Sequence, residues 1–160
     1  ADAIVSPANS FGHMDGGLDL KYSQFFGWDL EKSVRKVILN DYHGELPIGQ
    51  AIIVETGHPS FKYLISAPTM RVPMRVDKTA NAYLAFRGVL RAIGHHNETN
   101  NIKINSFVCP GLGTGEGCMP FDRCALQMKY AYDVVIKGEI LKTGGLAGAV
   151  RNHMYLIDEQ

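Results

Sequence analysis

Apolar residues fall along this chain in two rhythms, short unbroken runs and longer stretches that return every three or four positions. Ala3-Ile4-Val5 is a short run that stops at Ser6-Pro7, which predicts a buried strand. From Ala8 to Gly17 the chain is rich in Asn, Ser, Asp and Gly, residues that tolerate unusual backbone angles, and a loop is expected. Leu18, Tyr22, Phe25 and Phe26 then follow at helical spacing. A second helix is predicted over residues 29–40, with Asp29 as N-cap and Leu30, Val34, Val37 and Ile38 on its apolar face. Gly44 and Pro47 close that unit.

The alternation continues downstream. Ala51-Ile52-Ile53-Val54 predicts a second strand, His58-Pro59 a turn, and residues 62–67 a third strand. Residues 68–73 read as a loop, with Arg71 in it and Arg75 just beyond. Thr79 is placed to cap a helix over 80–93 that ends at Gly94-His95-His96. Residues 102–109 predict another strand, running into Pro110-Gly111-Leu112-Gly113-Thr114-Gly115-Glu116-Gly117, and a helix follows from Phe121 or Asp122 to about Ile136. The last segment is weakly patterned. Strands alternating with helices imply one α/β domain over residues 1–160, with a mixed, largely parallel sheet covered on both faces.

Composition narrows the function classes. A chain of 160 residues with 46% apolar content builds one core rather than two. Sixteen basic residues balance sixteen acidic ones, so no field gathers long nucleic acid, and a bound polyanion must be held by local geometry. Cys109, Cys118 and Cys124 are odd in number and lack C-x-x-C spacing, which argues against a disulfide framework or zinc knuckle and for a cytoplasmic address. No His/Cys/Asp/Glu cluster has metal-ligand spacing, no cofactor is implied, and no apolar run suits a membrane span. The strand-like run begins almost at Ala1, so further chain upstream is expected in the natural protein.

The chemistry sits in two glycine-rich stretches, each following a predicted strand and preceding a predicted helix. In open α/β sheets ligands bind at the carboxyl ends of strands, and glycine lets backbone N–H groups approach a phosphate. Two such loops can hold a diphosphate without a lysine. Neither is a Walker A motif and neither completes G-x-G-x-x-G.

These loops resemble those of a known family. Asp2-Ala3-Ile4-Val5-Ser6-Pro7-Ala8-Asn9-Ser10 looks like the macro-domain strand and loop usually written D-A-I-V-N-A-A-N. Asp15-Gly16-Gly17-Leu18-Asp19 is similar to its G-G-G-V segment, and Pro110-Gly111-Leu112-Gly113-Thr114-Gly115 to its P-A-L-G-T-G loop. The resemblance implies a three-layer α/β/α fold with ADP-ribose in a surface cleft. It assigns Asn9 to the distal ribose. It gives Ser6, Asp15, Gly16, Gly17 and Leu18, with Gly113, Thr114, Gly115, Glu116 and Gly117, to the diphosphate and that ribose.

The chain departs from the family at several points. Ser6 replaces the first signature asparagine, and the strand carrying the family's adenine-contacting aspartate lies outside this chain. Glu116 and Gly117 stand near the place of a stacking Phe or Tyr. In one hydrolase branch an aspartate and a histidine four residues later assist catalysis; Asp19 matches the aspartate, and Ser23 replaces the histidine. Asp19 reads either as an acid–base group or as a carboxylate favoured at a helix N-terminus. His13 reads either as a second acid–base candidate or as a solvated loop residue. Three functions stay open: hydrolysis of an ADP-ribosyl bond, O-acyl ester or ribose phosphate monoester, with ADP-ribosylated protein among the partners; a non-catalytic ADP-ribose reader; and a nucleotide or RNA-end binding module.

Overall fold

Successive strand residues point to opposite faces of one sheet, and each face feeds its own core. The computed structural model describes residues 1–139 and 144–157. Its strands are β1 (Ala3–Asn9), β2 (Ile52–Glu55), β3 (Tyr63–Met70) and β4 (Phe107–Val108), in the order β2-β3-β1-β4. β1 runs parallel to β3 and β4, while β2 is antiparallel to β3. Ala3 and Val5 of β1 and Tyr63, Ile65 and Ala67 of β3 enter one core, with α3 (Asn81–Thr99) and α4 (Phe121–Val135) packed over it. Ile4 and Leu64 face the other core, covered by α1 (Gly17–Phe26) and α2 (Asp29–Tyr42) through Tyr22, Leu30, Val34 and Ile38. All eight residues of β3 are buried, as befits an inner strand covered on both sides. α5 (Leu146–Ile157) completes the described elements. The expected three-layer α/β/α arrangement with a mixed, largely parallel sheet is what the chain forms.

Several boundaries differ from the sequence reading, each for a local reason. β3 runs on through Pro68, placed in a loop by the sequence. Pro68 lies past the last β2 pair, Ile52 with Ser66, and where the β1 ladder slips register between Ala8 and Asn9. A residue without an N–H is tolerated at such a break. α3 passes Gly94 and ends at Thr99, although glycine inside a helix costs about 1 kcal/mol. Its last turn is anchored: Asn97 accepts the N–H of Ile104 (2.8 Å) and donates to the Ile104 carbonyl (2.9 Å).

The predicted strand over 102–109 shrinks to Phe107–Val108. There the Asp2 carboxylate accepts the N–H groups of Asn105 (2.8 Å) and Ser106 (3.0 Å), replacing ladder bonds with side-chain ones. Thr79, expected as the cap, lies one residue before the N-cap of α3, Ala80, and its hydroxyl oxygen accepts the Asn81 N–H (3.2 Å). Asp29, by contrast, lies inside α2, whose N-cap is Trp28.

Candidate functional site

β1 ends at Asn9, and its side chain folds the loop that follows. Asn9 Oδ1 accepts the N–H groups of Phe11 (3.0 Å) and His13 (3.3 Å), while Nδ2 donates to the His13 carbonyl (2.8 Å). This is an Asx-type bracket across four residues. Gly12 sits at φ +74°, where a side chain is strained, and a Cβ there would lie 2.8 Å from Ile38 Cδ1, so the turn favours glycine. Met14 is clamped at both polar ends: its N–H donates to the Glu31 carboxylate (2.6 Å), and its carbonyl accepts the Ser23 hydroxyl (2.7 Å). α1 then begins at Gly17 without a side-chain cap, leaving its first N–H groups without intrahelical partners.

The second loop folds mostly by main-chain bonds, one of them from Val76 outside it. Met119 donates to the Gly113 carbonyl (2.9 Å), Cys118 to Gly115 (3.0 Å), and Val76 to Gly117 (2.8 Å). Gly113 has φ +76°, while Gly117 is glycine for want of space, since a Cβ there would lie 2.6 Å from the Gly113 carbonyl oxygen. At Gly115 a Cβ would meet nothing within 4 Å. Residues 118–120 separate this loop from α4, so the cleft meets a loop here rather than a helix start.

The loops face each other across a cleft of about 480 Å³, a size suited to a small organic ligand. Asn9, His13, Asp15, Gly16, Gly17, Leu18 and Asp19 line it from the first loop, and Gly113, Thr114, Gly115, Glu116 and Gly117 from the second. Thr69, Met70 and Pro73 add a third wall that the sequence reading missed. The signal was available, because a strand parallel to β1 ends at the same edge of the sheet. Ser6, expected on the ligand, is fully buried beneath the cleft instead, with its hydroxyl donating to Asp19 Oδ1 at 2.5 Å.

Asp19 is the electrostatic centre of the site. It is only 6% exposed, and burial pushes its carboxyl up to about 6; the Ser6 hydrogen bond opposes the rise and the charge of Glu31 adds to it. A carboxyl near that value exchanges a proton close to neutral pH. His13 is exposed on the rim. Ser23, at the place of the hydrolase-branch histidine, is fully buried on Met14.

Residues of weaker promise lie elsewhere. Lys21 and Cys118 are exposed and do not line the cleft. Arg71 pairs with Glu45 and stacks on Phe11 (5.3 Å), and Arg75 pairs with Asp77 (3.0 Å). Among the described residues no group of His, Cys, Asp or Glu could hold a metal ion, and no helix is long and apolar enough to cross a membrane.

Comparison with known proteins agrees with this architecture. An uncharacterized protein of Aquifex aeolicus is 33% identical over 129 residues, covering 80% of this chain and 70% of the relative. Across curated relatives from Aquifex aeolicus, Aeropyrum pernix and Saccharolobus solfataricus, the chain spans 65% to 73% of their lengths. Among solved structures, the macrodomain of Mycobacterium tuberculosis DarG superposes with a TM-score of 0.67 at 24% identity, over 82% of this chain and 81% of that one. A point mutant of the Oceanobacillus iheyensis macrodomain, solved with ADPR, gives 0.68 at 20% identity, over 81% of this chain and 68% of that one. These two likenesses are of fold. The sequence profile described as Macro domain matches residues 5–128, from within β1 into α4 and across both loops, and the chain belongs to that family.

Proposed function

We propose that the cleft binds ADP-ribose or a close derivative and that the chain hydrolyses a bond at the ligand's distal ribose. The observation that carries the binding is the convergence of two glycine-rich loops, with their backbone N–H groups, on one cleft of small-molecule size. The Oceanobacillus iheyensis relative solved with ADPR supports the ligand class. In this reading the diphosphate lies between the α1 start and Gly113–Gly117. Asn9 has one amide hydrogen left after bracing its loop, enough to hold a ribose hydroxyl.

The catalytic half rests on Asp19, a mostly buried carboxyl at the cleft wall. Ionised, it takes a proton from a water whose oxygen bonds to the scissile carbon or phosphorus. The leaving group departs with the bonding pair and takes up the proton that Asp19 received, which restores the carboxylate. Amides of the second loop face the charge that develops. The bond is an ADP-ribosyl linkage, an O-acyl ester or a ribose phosphate monoester, and an ADP-ribosylated protein carries the first of these.

One observation favours the alternative of a non-catalytic reader: Ser23 is turned into the core and offers no second acid–base group beside Asp19. Calorimetric titration tests the binding claim. ADP-ribose is expected to bind at least tenfold more tightly than AMP, about 1.4 kcal/mol, because the distal ribose meets the first loop. Equal affinity, or none, removes the proposal. Release of product from an ADP-ribose ester above the buffer rate separates hydrolase from reader.

A further inference from the structure

A buried hydroxyl in a sheet face needs a partner, and at Ser6 the partner is unusual. Ile4 of β1 packs into the core beneath α1 and α2, and Ser6, two residues on, points to the same side. Ser6 is fully buried, and its hydroxyl reaches Asp19 Oδ1 at 2.5 Å, the length of a charge-assisted bond. Asp19 Oδ2 takes no hydrogen bond from the described residues, yet it is not among their fully enclosed unpartnered atoms. One oxygen is tied to the strand, and Asp19 as a whole lines the cleft.

The surrounding charges make that tie consequential. From α2, Glu31 faces Asp19 with like charge, its own carboxylate accepting the Met14 N–H (2.6 Å). From α1, Tyr22 donates its hydroxyl to the Val5 carbonyl (3.1 Å), and Cys109 beyond β4 lies near Tyr22. His13, Asp15 and Glu116 share the cleft, and among the described residues no lysine or arginine lines it. Among the described residues the Ser6 hydroxyl is the one hydrogen-bond donor to this carboxylate, and it works against the rise that burial imposes.

We infer that Ser6 is a positioning residue: it fixes Asp19 Oδ1 on the strand, leaves Oδ2 to take a proton from the attacking water, and favours the ionised carboxylate against its burial and the like charge of Glu31. This rests on the hydrolase reading for its catalytic consequence, but the pairing itself can be read without turnover.

The test uses the full chain as wild type, Ser6→Ala and Ser6→Thr, with two readouts. One is the titration of the Asp19 carboxyl carbon by NMR without ligand; the other is the pH profile of kcat and KM on an ADP-ribose ester. Losing a hydrogen bond to the charged form is expected to move the Ser6→Ala midpoint up by about one pH unit in both. kcat falls near neutral pH and recovers in alkali, while KM changes little. Ser6→Thr keeps the hydroxyl in a residue that suits a strand, and it returns both midpoints toward wild type. Unmoved midpoints in a folded Ser6→Ala protein overturn the inference. If the wild type shows no turnover, the hydrolase reading falls and the carbon titration alone decides: a raised midpoint upholds the pairing, and an unchanged one overturns it.

Discussion

The two loops that face each other across the cleft are held by different balances of side-chain and main-chain bonds. Side chains from three elements hold the first: Asn9 at the end of β1, Ser23 on α1 and Glu31 on α2. The second is held mainly by main-chain bonds at Gly113, Gly115 and Gly117, helped by the Thr114 hydroxyl on the Gly111 carbonyl (2.8 Å), with glycine at 117, where a Cβ would strike the Gly113 carbonyl. The difference teaches how each fails. A loop held by side chains is loosened by removing atoms at a distance. A loop held by its own backbone is broken by adding atoms within it.

The largest effect is expected from adding a side chain to the second loop. Gly115→Glu has room for the new group, so the melting temperature is expected to hold while a carboxylate enters the proposed diphosphate site. ADP-ribose affinity is expected to fall by about 100-fold or more, near 3 kcal/mol, by calorimetry. Gly117→Ala puts a Cβ against the Gly113 carbonyl and is expected to lower both affinity and melting temperature. If Gly117→Ala melts like the wild type, the second loop is not locked by its backbone and the contrast fails.

Next comes Asp19, where the first loop becomes a helix. Asp19→Asn is expected to reduce turnover about 100-fold while leaving product affinity nearly intact, because the base acts in the transition state. Wild-type turnover is expected to rise with pH through about 6, as the carboxyl ionises. The same residue bears on stability. Its folded value, about 6, lies above the unfolded one, so the fold prefers the protonated form. That contribution is fully present below about pH 4 and is lost as pH rises through about 6. Asp19→Asn is therefore expected to stabilise the protein at pH 7, by up to about 3 kcal/mol, and to change little at pH 4. Denaturant melts at the two pH values check this, and equal effects at both would remove the burial argument.

The smallest effect sharpens the contrast at the first loop. Ser23→Ala leaves the Met14 carbonyl without its partner and is expected to cost about 1–2 kcal/mol in urea melts. ADP-ribose affinity is expected to drop only a few-fold, since Glu31 and Asn9 still hold the loop. A larger loss of affinity than of stability would mean that Ser23 acts on the ligand directly.

Much of this was legible in the chain itself. Short apolar runs located β1 and β3, helical spacing located α1, α2 and α4, and glycine-rich strand ends located both loops. What escaped depends on partners distant in sequence. Ser6 read as a ligand contact because its position is in the motif; only the packing of α1 on β1 turns it to Asp19. Gly94 read as a helix end, but Asn97 and Ile104 carry the helix past it. Pro68 read as a loop because a ladder register slip cannot be seen along one strand. Asn9 read as a ribose contact, and its folding of residues 11–13 emerged only with the backbone in place.

The Asp2 clamp has a consequence for the order in which the molecule assembles. It joins the start of β1 to Ser106, a separation of 104 residues, whereas the bonds shaping the first loop mostly span fewer than twenty. Closing a short loop costs less entropy than closing a long one, so the β1–α1–α2 half is expected to organise first. A nascent chain that has not yet reached residue 106 lacks the far wall of the cleft, however well formed its first loop is. Ligand recognition is then a late event in the life of the chain. Pulse-labelled hydrogen exchange during refolding would show it as protection at Met14 preceding protection at Met119, and simultaneous protection would argue for a single cooperative step.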